Sequence, residues 1–234
     1  MKSRSAHAIR SCLVVDDHEV SRRFTVAALR RIAGVVKQTG SGFRAMRLAL
    51  DEFPDVIVLD VHLRAMNGLK LAARLRKAWP ADRQQPRIVI LSGMTPDRLE
   101  GASETDAAEA FLVKPVSARR LRAAVLGDTA SPPGETEHAA RPGLAELFRT
   151  ELETRFPSLD QAISRRDLDS AEEILHQLIA SAAICRAPQL ERRLRALDSA
   201  CREELGTREL AHRYYALVTS VRGYLASPRT APAR

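Results

Sequence analysis

The stretch DVIVLDVHLRAMNG, residues 55–68, decides the fold, because an apolar run within it stops at a carboxylate, Asp60. Three further apolar runs, at residues 12–15, 88–91 and 110–113, also stop at polar side chains. Short continuous apolar runs separated by segments of helical periodicity are typical of parallel strands covered by helices on both faces. We therefore predict an α/β fold with a parallel sheet for this half of the chain.

The polar residues that follow these runs are Asp16, Asp17, Asp60, Ser92 and Lys114. In open parallel sheets the ligand site lies beyond the carboxyl ends of the strands, so we expect these side chains to converge. Three carboxylates in one place repel each other and favour a hard cation with oxygen ligands, such as Mg²⁺. A lysine and a hydroxyl beside them suit a phosphoryl group, whose transfer depends on positioning and charge neutralisation.

Residues 11 to about 126 resemble the receiver domain of two-component response regulators. The resemblance rests on LVVDDHEVSRR, DVIVLDVHLRAMNGLKLAARLRK, RIVILSG and AFLVKP, which occur in the family's order and at its separations. It implies a flavodoxin-like (βα)5 domain with a parallel five-stranded sheet, which we assign to residues 1–126. It also implies a cytoplasmic signalling protein whose phosphoryl donor is a sensor histidine kinase, of the simple or the hybrid kind.

The resemblance implies a role for each acidic residue. Asp60 would be the phosphoacceptor, its carboxylate attacking phosphorus in line. Asp17 and Asp60 would hold Mg²⁺ directly, Asp16 would act largely through water, and the backbone carbonyl of His62 would supply another ligand. In the loop that follows, Leu63 and Arg64 stand where the family usually has methionine and proline, and we expect this to alter loop stiffness more than chemistry.

The resemblance also implies how the phosphoryl group is held and sensed. Ser92 and Lys114 would bind the phosphoryl oxygens, and the peptide bond before Pro115 is expected to be cis. Phe111 occupies the position of the family's aromatic switch residue. Phosphorylation should therefore act on Ser92 and Phe111 and shift an existing two-state equilibrium that alters partner binding.

Composition limits the class of protein. With 234 residues, 45% of them hydrophobic, the chain can bury one or two cores. The sequence has no apolar stretch of membrane-spanning length and its start lacks an apolar signal region, so we expect no membrane association. The three cysteines, Cys12, Cys185 and Cys201, lack metal-ligand spacing, and we expect them to be reduced packing residues.

The segment from 127 to 142 is rich in Pro, Gly and Thr, and it predicts a flexible linker after a helix that begins near Ser117. Beyond it the pattern is helical to residue 226, followed by a tail at 227–234 that we expect to be disordered. Apolar stripes predict an all-α antiparallel bundle over residues 143–226. Its five predicted helices are marked by Leu144 to Phe156, Leu159 with Ile163, residues 167–184, Leu190 to Cys201, and Leu210 to Leu225.

His176 is the unusual residue of this bundle. At about 100° per residue it lies well away from the apolar stripe of its helix, so we expect the imidazole to point outward. Glu172 and Glu173 lie one turn before it, and Ala180 and Ala183 follow. Small neighbours leave room for a partner's active site, and the carboxylates favour the protonated ring.

The segment AEEILHQLIASAAICRAPQLERRLRALDSA resembles the histidine phosphotransfer (HPt) domain, a four-helix bundle with one phosphorylatable histidine. The resemblance extends over about residues 143–226, because LAELFRTELETRFPSLDQAISRRDLDSAEE fits the family's lead-in helices. It implies that His176 is a second phosphoryl carrier. Its exchange partner would be Asp60 of the same chain, or another receiver or HPt protein.

Three positions depart from the HPt motif. Ile179 replaces the usual lysine, Ala180 replaces a glycine, and Arg186 stands at a later glycine. Loss of the lysine removes a cation that helps to hold the phosphoryl oxygens. An alternative therefore stays open, in which the bundle is a phosphorylation-controlled protein-interaction module that carries no phosphate itself.

Two other functions are disfavoured. Residues 1–126 carry 22 basic and 13 acidic residues, whereas residues 141–234 carry 15 and 13, so the bundle is a poor electrostatic match for DNA. Phosphatases of the haloacid dehalogenase type place a second aspartate two residues after the nucleophile, where this chain has His62. We therefore expect no DNA binding and no turnover enzyme.

Overall fold

The computed structural model describes residues 9–64, 66–93, 106–128, 143–203 and 206–227. The chain divides into two compact units, Met1–His138 and Ala139–Arg234. Most of the predicted linker and nearly all of the predicted tail lie outside the described residues.

The first unit is built on a parallel five-stranded sheet with the strand order β2-β1-β3-β6-β7. This is the predicted α/β architecture, and β3 and β6 are almost wholly buried, as their apolar sequences predict. A small antiparallel hairpin, β4 with β5, follows β3. The strands are β1 (Ile9–Val15), β2 (Ala33–Thr39), β3 (Val56–Asp60), β4 (His62–Leu63), β5 (Met66–Asn67), β6 (Arg87–Ser92) and β7 (Ala110–Val113).

Four described helices cover this sheet, and three of them begin at a side-chain cap. The hydroxyls of Ser41 and Ser117 and the amide oxygen of Asn67 each accept a hydrogen bond from a backbone N–H of the first turn. A (βα)5 fold has a further helix between β6 and β7, where residues 94–105 lie outside the described part. The helices are α1 (Glu19–Leu29), α2 (Gly42–Glu52), α3 (Gly68–Ala78) and α4 (Ala118–Leu126).

Strand β2 is the element that apolar runs did not locate. It pairs only with β1 among the described strands and lies at an edge of the sheet. Most of its residues are exposed, including Gly34, Lys37 and Gln38, so it does not need the continuous apolar sequence of a central strand.

In its described residues the second unit is a bundle of four helices: α5 (Leu144–Arg165), α6 (Leu168–Ile184), α7 (Pro188–Arg202) and α8 (Thr207–Ala226). The prediction of five helices is wrong, because α5 runs without a break through Pro157. Proline removes one helical hydrogen bond at a cost of about 3 kcal/mol. Leu152 and Leu159 on either side are fully buried, and their packing holds the helix together across that position.

Aromatic pairs join the first and last helices of the bundle. Phe148 near the start of α5 meets Tyr224 near the end of α8 at 5.5 Å between ring centroids. Further along, Phe156 stacks on Tyr214 at 6.1 Å. The two helices therefore run antiparallel, as predicted. Within the described residues, no helix is both long enough and apolar enough to cross a bilayer.

Candidate functional site

The candidate site lies at the point in the sheet where the order of strand addition reverses. From β1 the chain first adds β2 on one side and then returns to place β3 on the other. Asp16 and Asp17 directly follow β1, and Asp60 is the last residue of its neighbour β3. Such a switch point opens a crevice beyond the strand ends, where α/β sheets bind ligands.

The three carboxylates lie close together. One ligand oxygen from each of Asp16, Asp17 and Asp60 can be chosen so that all lie within 4.8 Å of one another. The Lys114 ammonium reaches this group from the end of β7. Its Nζ lies 2.9 Å from Asp60 Oδ2 and 3.2 Å from Asp16 Oδ2. The predicted acidic residues and the predicted lysine therefore form one cluster.

Neighbouring groups hold the Asp16 carboxylate in place. Ser21 on α1 donates its hydroxyl to Oδ2 at 2.6 Å, and the backbone N–H of His18 donates to Oδ1 at 2.8 Å. Burial alone would raise the pKa of Asp16, but Lys114 and these donors outweigh it and lower that pKa. Ser21 was not predicted from the sequence, because a serine inside a helix is not distinctive until the helix is packed against the site.

Asp60 has a different electrostatic environment. Burial raises the pKa of Asp60 to about 6; Lys114 opposes the rise and the charge of Asp16 adds to it. For Lys114, burial acts in the lowering direction but the two adjacent carboxylates outweigh it, so its pKa lies above the usual value. The lysine is therefore a fixed positive charge, and the Asp60 carboxylate is a poorly solvated anion beside it.

Asp17 is paired differently. Arg64, in the loop between β4 and β5, places its Nε 3.5 Å from Asp17 Oδ2. We expected this residue to affect loop stiffness rather than chemistry, but its guanidinium contacts the carboxylate cluster. A proline has no side chain that could do so. The contact could not be seen in the sequence, because the two residues are far apart in the chain.

The remaining residues predicted for this unit lie at or near the same edge of the sheet. Ser92 ends β6 and is fully buried, and its carbonyl accepts a hydrogen bond from the backbone N–H of Lys114 at 2.6 Å. Phe111 lies within β7 and is half-buried against the core. The Lys114–Pro115 peptide bond is cis, as expected. His62 has an exposed side chain.

In the bundle, His176 lies in the middle of α6 and is half-buried. It is therefore less exposed than we expected. On the turn before it, Glu172 lies 3.9 Å from Arg202 of α7. Ile179, one turn after it, packs against the core of the bundle.

The cluster of the first unit has the donor chemistry for a hard divalent cation. Its ligand atoms are carboxylate oxygens, the type that Mg²⁺ prefers, and they belong to residues held on different strands. Lys114 neutralises part of their charge, which leaves the cluster with a net negative charge for a cation to offset.

Sequence comparison finds known proteins that are similar to part of this chain. The Sensory/regulatory protein RpfC of Xanthomonas campestris pv. campestris is 32% identical over 110 residues, 47% of this chain and 15% of that protein. The Transcriptional regulatory protein SrrA of Staphylococcus aureus is 31% identical over 110 residues, 47% of this chain and 43% of that protein. The chain thus spans less than half the length of these relatives.

Solved structures are also similar. The chemotaxis response regulator CheY4 of Vibrio cholerae is 25% identical, with a TM-score of 0.43, covering 49% of this chain and 93% of that one. A CheY-like receiver domain from Methylobacillus flagellatus is 22% identical, with a TM-score of 0.45, covering 51% and 98%.

Two family profiles match the chain in succession. The profile of the response regulator receiver domain matches residues 12–126, and the profile of the Hpt domain matches residues 143–223. Together these are the domains of two-component phosphorelay signalling. The chain therefore contains a response regulator receiver domain at residues 12–126 followed by an Hpt domain at residues 143–223.

Proposed function

We propose that this protein is a phosphorelay component whose receiver domain accepts a phosphoryl group on Asp60 from the phosphohistidine of a sensor histidine kinase. One observation carries the proposal: three carboxylates and the Lys114 ammonium converge at the carboxyl edge of the sheet. With a divalent cation held by the carboxylates, this arrangement would neutralise charge around an incoming phosphoryl group, which is what its transfer chiefly requires.

In the proposed reaction a carboxylate oxygen of Asp60 attacks phosphorus in line. The bond from phosphorus to the donor's imidazole nitrogen breaks, and that nitrogen keeps the electron pair. Lys114 and Ser92 bind the phosphoryl oxygens. Phosphorylation thereby acts on Ser92 and Phe111, the two residues of the proposed conformational switch. Asp17, Asp60 and the His62 carbonyl would hold Mg²⁺ directly, and Asp16 would act largely through water. When bound, Mg²⁺ would neutralise charge on the transferring oxygens.

The experiment is labelling from acetyl phosphate in the presence of Mg²⁺. Asp60→Asn should abolish labelling of the receiver, because the amide is not a nucleophile. Asp51→Asn, which changes an exposed aspartate on α2, is the matched control and should be labelled like the wild type. Undiminished labelling of Asp60→Asn would refute the assignment.

We further propose that His176 is the second phosphoryl carrier. A ring nitrogen of His176 would attack the phosphorus of an aspartyl phosphate, and the aspartate would leave as a carboxylate. The support is the Hpt match together with a position in the middle of α6 that is still partly open to solvent. The donor is Asp60 of this chain or an aspartate of another receiver.

Two variants of the full chain separate donor from acceptor. His176→Gln, phosphorylated on its receiver from acetyl phosphate, serves as the donor. Asp60→Asn serves as the acceptor, and label that is acid-labile and base-stable should appear on it. The double variant Asp60→Asn/His176→Gln should take up no such label. The control is the double variant Asp60→Asn/His212→Gln, which changes an exposed histidine of α8 and should be labelled like Asp60→Asn.

The alternative function is an interaction module whose bundle carries no phosphate. The observation that favours it is Ile179, whose side chain packs on the bundle core and so supplies no cation near His176. If the acceptor variant never gains the acid-labile label from any phosphorylated receiver, the alternative replaces the second transfer step. The assignment of Asp60 is independent of that result.

A further inference from the structure

The contact between Arg64 and Asp17 joins an exposed side chain to a covered one. The Arg64 side chain is 71% exposed, whereas the Asp17 side chain is only 8% exposed. Arg64 directly follows β4 of the hairpin that comes after Asp60, and this position brings its guanidinium to the Asp17 carboxylate. The arginine can rotate away into solvent without any change in the backbone.

The charges of the cluster show why this contact matters. Lys114 forms ion pairs with Asp16 and Asp60, and none with Asp17 among the described residues. Arg64 is thus the closest counter-charge for Asp17 among the ion pairs of the described residues.

We propose that Arg64 competes with the divalent cation for the Asp17 carboxylate and so sets the cation affinity of the receiver. This inference rests on the proposed function, because it takes Asp17 to be a cation ligand. A cation bound to carboxylate oxygens lies about 2.0–2.1 Å from them. The guanidinium at its present position would then be a like charge only a few ångströms away, so it must move before the cation binds tightly.

The size of the effect follows from the exposure of the arginine. Ion pairs with an exposed partner are weak, because solvent screens the charges and the long side chain loses freedom when it is held. Removing Arg64 should therefore tighten cation binding about two- to fivefold rather than by orders of magnitude. The Arg64 guanidinium thus binds the Asp17 carboxylate weakly and reversibly, and its release does not disturb the fold.

The test is an Mg²⁺ titration of the full chain, without any phosphoryl donor, followed by the amide chemical shifts of residues 16–18. Arg64→Ala should bind Mg²⁺ more tightly than the wild type. Arg64→Lys keeps the charge and should stay close to the wild type. Arg47→Ala removes the same charge from the exposed face of α2 and should leave the affinity unchanged.

Three results would overturn the inference. The first is an Arg64→Ala affinity equal to or weaker than that of the wild type. The second is equal tightening by Arg64→Ala and Arg47→Ala, which would assign the effect to net charge. The third is a wild-type protein with no Mg²⁺-dependent shift, which would remove the cation site itself. Failure of the Asp60→Asn labelling test would leave this titration intact, so the two proposals fail separately.

Discussion

Gly68 packs directly against the backbone of Asp60. Its N–H donates to the carbonyl of Val61 at 2.8 Å, and a Cβ atom on Gly68 would overlap the carbonyl oxygen of Asp60. The start of α3 is therefore pressed against the strand end that carries the candidate phosphoacceptor. Glycine is needed here for close approach, because backbone atoms cannot give way as a flexible side chain can.

Gly68→Ala should destabilise the receiver by about 1–3 kcal/mol, because the added methyl group forces α3 and β3 apart. Displacement of Asp60 should also slow labelling from acetyl phosphate. Gly223→Ala is the matched control, since nothing lies within 4 Å of a Cβ at that helical position. It should stabilise the protein by about 0.5–1 kcal/mol. Urea unfolding measures both, and a neutral Gly68→Ala would contradict the packing argument.

Lys114→Met should lower the unfolding free energy of the Mg²⁺-free protein by about 3–5 kcal/mol, because it removes one partner of a buried ion pair. Two buried carboxylates, Asp16 and Asp60, would lose their shared counter-charge. Mg²⁺ should restore part of the loss, because it offers replacement positive charge and binds only the folded state. The increase in melting temperature caused by Mg²⁺ should therefore be larger for the variant than for the wild type. Equal increases would argue against a cation beside Lys114.

Arg149→Met should loosen the end of α8. The nearly buried guanidinium donates to the carbonyls of Leu225 and Ser227 at 2.8 and 2.9 Å and lies 5.1 Å from the Tyr224 ring centroid. Loss of these bonds at a helix end should cost about 1–3 kcal/mol. Hydrogen exchange of the last-turn amides should accelerate. Arg192→Met on the exposed face of α7 provides the comparison and should leave that exchange rate unchanged.

Asp55 should make stability depend on acid pH. Burial would raise the pKa of Asp55, but hydrogen bonds from Arg10 and from the Ser11 N–H outweigh it and lower that pKa. A carboxyl whose pKa is lower in the folded state stabilises the fold above its unfolded value, and that contribution disappears as pH falls through the folded value. The difference in unfolding free energy between wild type and Asp55→Asn should thus be largest near neutral pH and shrink below about pH 4. Urea titrations at several pH values measure it, and a difference that does not change with pH would exclude this linkage.

The central strands and the strand-end residues could be read from the chain itself. A strand buried on both faces has to be apolar throughout, so β3 and β6 can be identified from their apolar sequences. The polar residue after each apolar run marks the carboxyl edge of the sheet. Because parallel strands share that edge, the grouping of Asp16, Asp60 and Lys114 follows from the pattern alone. A helix start near Ser117 was likewise predicted, and in the structure the Ser117 hydroxyl caps α4.

Contacts between distant segments were decided by the tertiary structure. Three features depend on how elements pack: the contact of Arg64 with Asp17, the hydrogen bond from Ser21 to Asp16, and the half-burial of His176. The continuity of α5 through Pro157 does as well, because burial of its flanking leucines outweighs a local preference. Short-range patterns encode which face of an element is apolar. They do not encode which long polar side chain of another element reaches it, because that depends on the distances set by the assembled core.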